Sequence, residues 1–146
     1  MQRFILLSLL GALLLGCGAP ASEEQIRDLV SSLAQAAEDE SIGPFRRALH
    51  DDYQDLREND KAAVINMLRG IMLQTNDALI LTDIESIDFL SAELAEVAIK
   101  ARFAGADWDR LRLRGAVYWF ELDLVRENDD WRITSARWSR GDSAPR

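Results

Sequence analysis

Hydrophobic periodicity changes once along this chain, and that change limits the folds open to it. Up to residue 72 the apolar residues recur at helical spacing, and from residue 78 they alternate as in strands. Ile26, Leu29, Val30 and Leu33 fall at i, i+3, i+4 and i+7, predicting an amphipathic helix that ends near Asp39. Ser22 with Gln25 three residues on forms a capping-box pattern at its start. Ile42, Phe45 and Leu49 share one face of a second, short helix, with Pro44 near its first turn. The stretch from His50 to Leu56 reads as a turn and a short extended piece. Asn59-Asp60 then caps a third helix whose apolar stripe is Val64, Ile65, Leu68, Ile71 and Met72.

Beyond Asn76 the pattern is that of an antiparallel sheet. Ala78 to Phe89 is rich in Ile, Leu and Thr and reads as an irregular strand. Val97, Ile99, Ala101 and Phe103 alternate with Glu96, Ala98, Lys100 and Arg102, a strand with one face buried. Gly105 to Asp109 is a loop, and Leu111 to Arg126 a long strand with a bulge expected at Gly115. Glu127-Asn128-Asp129-Asp130 turns the chain, Trp131 to Arg140 returns as the last strand, and residues 141–146 form a tail. Helices segregated from consecutive strands mean α+β. The expected architecture is three N-terminal helices packed on an antiparallel meander of four long strands plus one short. With 146 residues, 48% of them apolar, the chain suffices for one core and one domain, residues 23–140.

The N-terminus carries a separate signal. Arg3 precedes a run of about a dozen apolar residues from Phe4 to Leu15, which is the layout of a secretory signal peptide. The run is too short for a membrane-spanning helix, which needs roughly 20 apolar residues. Leu14-Leu15-Gly16-Cys17 resembles the bacterial lipobox. The resemblance implies cleavage between Gly16 and Cys17, thioether attachment of diacylglycerol to Cys17, and acylation of the new amine. Two or three acyl chains, at about 0.8 kcal/mol per buried methylene, hold a protein on a membrane where one does not. Gly18 follows the cysteine; by analogy with enteric bacteria this implies the outer membrane, facing the periplasm. Residues 17–22 are expected to be a lipidated tether that spans at most on the order of 20 Å when extended.

Charge and cysteine count exclude several function classes. The net charge is -8, with only two lysines, Lys61 and Lys100, and no basic block, so nucleic acid is not an expected partner. The single cysteine rules out an internal disulfide and a multi-cysteine metal site. With His50 as the only histidine, no metal is expected, and with no phosphate loop or dinucleotide fingerprint, no cofactor.

The stretch Phe120 to Trp138, with its ENDDWRITSARW core, resembles the closing hairpin of the nuclear-transport-factor-2-like (SnoaL-like) superfamily. The resemblance implies a cone of curved sheet wrapped on helices, and a superfamily that hosts isomerases, cyclases, hydrolases and non-catalytic binders. Dimerisation through the outer sheet face is common in it.

If Glu127 faces Asp130, strict alternation pairs Leu124 with Ile133, Leu122 with Ser135, Phe120 with Arg137 and Tyr118 with Ser139. On the other face Asp123 meets Thr134, Glu121 meets Ala136 and Trp119 meets Trp138. Glu121 and Asp123, which resemble an acid–base pair, then belong to a solvated outer face. Trp119 and Trp138 form either a dimer or partner face or a pair shielded by the protein's own loop. Arg137 points inward, where a buried guanidinium needs a carboxylate or an anionic ligand. It defines either a polar pocket of Asp52, Tyr53, Tyr118 and Arg137, or an internal ion pair closing the cone. The expected function is a membrane-anchored, non-catalytic module binding a small apolar ligand or an envelope protein. The alternative is a SnoaL-like enzyme acting on a small hydrophobic substrate in the cone.

Overall fold

Alternation along residues 95–103 divides the sheet into two faces. Ala95, Val97, Ile99 and Ala101 are buried, while Glu96 and Arg102 are exposed. The computed structural model describes residues 18–74, 79–104 and 115–141. In it α1 (Gly18–Glu38), α2 (Ile42–Ala48) and α3 (Lys61–Met72) precede β1 (Leu79–Phe89), β2 (Leu94–Ala104), β3 (Val117–Glu127) and β4 (Asp130–Arg140). The strands form one antiparallel meander in the order β1-β2-β3-β4, with the helices packed on its concave face. The α+β architecture is as expected from the sequence. The expected signal segment 1–16, Cys17, the expected loop 105–109, the expected strand start at 111–114 and residues 142–146 of the expected tail lie outside the described residues.

The core is the apolar face of each element turned to the same centre. Ile26 and Val30 of α1, Val64 and Ile65 of α3, and Val97, Leu122, Leu124 and Ile133 of the sheet form one buried cluster. Ile26 and Val97 are its most completely buried large side chains. At the end of the sheet that carries the tight turns, Phe89 of β1 and Trp131 of β4 approach to 5.9 Å between ring centroids. These residues come from the two edge strands, so their contact closes the concavity at that end. At the opposite end Phe103, Tyr118 and Trp138 are only half-buried and lie outside the cluster.

Each sheet edge is met in part by a helix or strap, which limits the unpaired backbone groups that invite strand addition. On β1, the Ile80 N–H donates to Glu38 Oε1 of α1 at 2.6 Å. On β4, His50 N donates to Ile133 O at 2.9 Å and Gln54 N to Thr134 O at 3.1 Å. The short fifth strand expected before α3 is thus reduced to a strap with one parallel bridge, Leu49 to Ile133.

Three local expectations are corrected. Helix α1 begins at Gly18, not Ser22, and Ser22 is buried inside it, so the capping box does not form and residues 18–22 are no extended tether. Gly115, at φ 64°, is a turn residue two positions ahead of β3 rather than a bulge within it. The hairpin register holds only near its turn. Asn128 and Asp129, at φ 50° and 68°, form the two-residue turn that matches strand twist, and Leu124 pairs with Ile133. Asp123 then pairs with Ser135, leaving Thr134 as an extra residue in β4. The expected cap of α3 does form: Asp60 Oδ1 accepts from Ala63 N at 2.8 Å.

Candidate functional site

The bulge at Thr134 exchanges the faces of every β4 residue beyond it relative to unbroken alternation. Arg137 pairs with Glu121, and Trp138 with Phe120. Arg137 therefore lies on the convex face, where its Nε donates to Glu121 Oε2 at 3.0 Å and its Nη1 sits 3.6 Å from Asp123 Oδ2. The hydrogen bond that Arg137 donates to Glu121 pushes the guanidinium pKa up, ahead of an opposing burial effect. Glu121 and Asp123 are a clamp for this arginine. Trp119 stays on the convex face, with the Lys100 ammonium 5.6 Å from its ring centroid, while Trp138 turns to the concave face. The two tryptophans expected to share a face are on opposite ones.

The other expected pocket residues also separate. The Asp52 side chain is almost wholly exposed. Tyr53 is 3% exposed and belongs to the core. Burial, reinforced by the charge of Asp55, pushes its hydroxyl pKa up to about 12 against a hydrogen bond with the Ala136 backbone. It therefore keeps its proton at neutral pH and cannot serve as a base. Of the four, Tyr118 alone lies half-buried on the concave face.

There it belongs to a different group. Tyr118 meets Phe103 edge-on at 5.6 Å and Phe120 at 6.2 Å between centroids, and Trp138 stands opposite Phe120 on the neighbouring strand. Ala101 and Ala116, both buried, give these rings room. The result is an aromatic cup at the less covered end of the concave face. None of the described residues paired onto that end of the face, from Ala101 and Phe103 to Tyr118, Phe120 and Trp138, is a carboxylate or a histidine. Its chemistry is apolar contact and ring stacking.

Arg140, opposite Tyr118 at the end of β4, and Arg57, from the loop before α3, border the cup. Arg57 lies over Trp138 with its guanidinium carbon 5.1 Å from the ring centroid, a cation–π contact. The loop that presents it is organised by Asp55, which is 5% exposed. Asp55 Oδ1 accepts from Arg57 N at 2.8 Å and Asn59 N at 2.9 Å, and Oδ2 accepts from Asn59 Nδ2 at 2.9 Å. Burial raises the carboxyl pKa, but the bonds from Asn59 and Arg57 together outweigh it and hold the pKa below the usual value.

His50 is structural. Its Nδ1 accepts from Asp52 N at 3.0 Å, and its Nε2 lies 3.2 Å from Glu127 Oε2, so the ring pins the strap to the β3–β4 turn. An open groove of about 510 Å³ runs along the N-terminal half of α3, bordered by Arg46, Asp51, Lys61 and Asn66. Lys61 Nζ bonds Asp51 Oδ1 across it at 2.7 Å, which lowers the Asp51 pKa. No group of three or more acidic, histidine or cysteine side chains suited to a metal ion occurs among the described residues.

The curved four-stranded meander around α1 decides what this architecture is. The fold is nuclear-transport-factor-2-like. A hexachlorocyclohexane dehydrochlorinase from Novosphingobium barchaimii superposes with a TM-score of 0.69 at 12% identity, covering 86% of this chain and 90% of its own. The putative scytalone dehydratase of Novosphingobium aromaticivorans gives 0.69 at 12% identity, over 88% and 92% of the two chains. A protein of unknown function with the nuclear-transport-factor-2-like fold from Shewanella baltica gives 0.64 at 11% identity, over 85% and 97%. No family model and no curated protein matches the sequence.

Sequence reasoning missed the cup as a unit and missed Asp55 and Arg57. The Asp55–Asn59 spacing is a local turn signal that was there to be read. Trp138 was placed on the wrong face because nothing in the sequence marks Thr134 as the extra residue.

Asp55 yields a stability prediction with a defined sign. Its depressed folded-state pKa means that its contribution is present above the unfolded value, near 4, and is lost as pH falls through the folded value. Asp55→Ala is expected to lower stability at pH 7 by about 1–3 kcal/mol, the cost of leaving the Arg57 and Asn59 donors unpaired. Urea titrations at pH 7 and pH 3 should show the difference from wild type narrowing at the lower pH.

Proposed function

We propose that this protein is a lipoprotein of the bacterial cell envelope whose domain is a non-catalytic module binding a small apolar ligand in the aromatic cup. The observation that carries the binding reading is the composition of the cup. Phe103, Tyr118, Phe120 and Trp138 offer ring faces and edges to a ligand, while Glu121 and Asp123 lie on the convex face against Arg137. A few convergent rings in a concave, half-covered surface are the usual lining of a small-molecule site. Arg57, over Trp138, suits a ligand with an anionic or carbonyl group at one end. The lipobox and the apolar run ahead of it support the anchor.

A second reading is favoured by the comparisons, which include a dehydrochlorinase and a putative dehydratase. In this reading the cup holds a hydrophobic substrate and the protein is an enzyme. It requires a proton acceptor that converges on the cup.

The binding reading predicts that Trp138→Ala weakens binding of the fluorescent probe 8-anilinonaphthalene-1-sulfonate at least tenfold in an equilibrium titration, whereas Trp119→Ala leaves it within twofold. Equal effects of the two changes would remove the cup from the account. The same titrations, followed for hours by NMR with small hydrophobic carbonyl and halogenated compounds, should return every bound compound unaltered. Formation of product would establish the enzyme reading instead. For the anchor, Cys17→Ser is expected to move the chain out of the membrane fraction or to leave the precursor uncleaved. A variant that fractionates like wild type after a high-salt wash would overturn lipidation.

A further inference from the structure

We propose that the turn joining β1 and β2 docks into the membrane surface beside the lipid on Cys17, so that the domain stands on the bilayer in one orientation. This inference rests on the lipoprotein reading and adds to it a contact surface and the chemistry of its partner, a zwitterionic lipid surface.

The argument starts from the course of α1. Glu38, at its last residue, bonds the backbone of Ile80 at the start of β1. Ile26 and Val30, nearer its beginning, belong to the buried cluster that includes Val97, Leu124 and Ile133, whereas Ala36 is buried outside that cluster. Helix and strand therefore run in opposite directions along each other. From Gly18 to Glu38 the helix rises about 30 Å, and from Ile80 to Phe89 the strand advances about 30 Å. The first turn of α1 lies at the same end of the domain as the β1–β2 turn.

Two facts then meet at that end. Cys17 is the residue immediately before Gly18, and α1 is already helical there, with Ser22 buried. The anchor thus connects to the domain through a helix rather than a leash. The adjoining turn also concentrates exposed apolar side chains. Phe89 is 37% exposed, Leu90 63% and Leu94 46%, and Leu90 N donates to Leu94 O at 2.9 Å, which holds the two leucines together. Three large apolar residues within six positions are more than a soluble turn needs.

Charge selects the lipid. Residues 88–94 contain Asp88 and Glu93 but no lysine or arginine, and the neighbouring β3–β4 turn contributes Glu127, Asp129 and Asp130 against the single charge of Arg126, which is paired with Asp129. Such a surface is repelled by anionic headgroups and tolerated by phosphatidylethanolamine, whose ammonium groups face the carboxylates. Apolar insertion with little electrostatic attraction is weak alone and becomes effective when an acyl anchor holds the turn at the surface.

The test uses the lipidated full-length protein, purified in detergent and reconstituted into vesicles of phosphatidylethanolamine and phosphatidylcholine with brominated acyl chains. An environment-sensitive fluorophore is attached at Ala92→Cys in the turn or, in a second sample, at Gln35→Cys near the far end of α1. The docked orientation predicts a blue-shifted Ala92→Cys label quenched at least threefold more strongly than the Gln35→Cys label. Adding Leu90→Glu with Leu94→Glu should return the turn label to an aqueous spectrum while the protein still sediments with the vesicles. Equal quenching at both sites, or an aqueous turn label on vesicle-bound wild type, overturns the docking and leaves the anchor standing. A chain purified without lipid that fails to sediment overturns the anchor and the docking with it.

Discussion

One extra residue in β4 sets the chemistry of both sheet faces. Thr134 has no partner in the β3 register, and its bulge is held from both sides. Its hydroxyl donates to Asp123 O at 3.1 Å, and its carbonyl accepts from Gln54 N of the strap at 3.1 Å. Beyond it the strand presents the opposite set of side chains. Without the bulge Arg137 would enter an apolar concavity, where an unpaired guanidinium costs several kcal/mol. With it, Arg137 meets Glu121 and Asp123 on the half-buried convex face, and Trp138 joins Phe120 and Tyr118 in the cup. The bulge, the strap and the cup are thus one arrangement. The strap that fixes the bulge continues into the Asp55 loop that carries Arg57 back over Trp138.

The two ends of the domain differ in how they are finished. At the turn end, Phe89 and Trp131 close the concavity over a dense aliphatic cluster. At the other end small residues, Ala101 and Ala116, leave half-buried rings as the lining. Since α1 begins at the closed end, an anchor on Cys17 would place that end toward the bilayer and the cup away from it. In that arrangement the proposed ligand site would open to the aqueous side.

Much of the fold was legible because it depends on periodicity and turn chemistry. The helical stripe through Ile26, Val30 and Leu33, the alternation through Val97 and Ile99, the Asp60 cap and the Asn128-Asp129 turn each leave a local mark, and each forms as read. The site was less legible because it depends on register. A bulge shifts the faces of a whole strand end, yet Thr134 satisfies the rules for an ordinary strand residue. Of the expected pocket residues, the inserted residue moves Arg137 to the convex face, Tyr118 keeps the concave face, and the strap leaves Asp52 exposed and Tyr53 in the core. The start of α1 failed for a different reason. Residues 18–22 contain Gly18 and Pro20, which argue for a leash, but packing around Ser22 and Ile26 extends the helix through them.

The face of Trp138 is therefore the point on which the account turns, and NMR can read it directly. With resonances assigned, nuclear Overhauser contacts should connect the side chain of Trp138 to that of Phe120, opposite side chains on adjacent strands lying about 5 Å apart at Cβ. No contact should connect Trp138 to Trp119. A contact between the two indoles, with Arg137 opposite Phe120, would restore the unbulged register and contradict the aromatic cup.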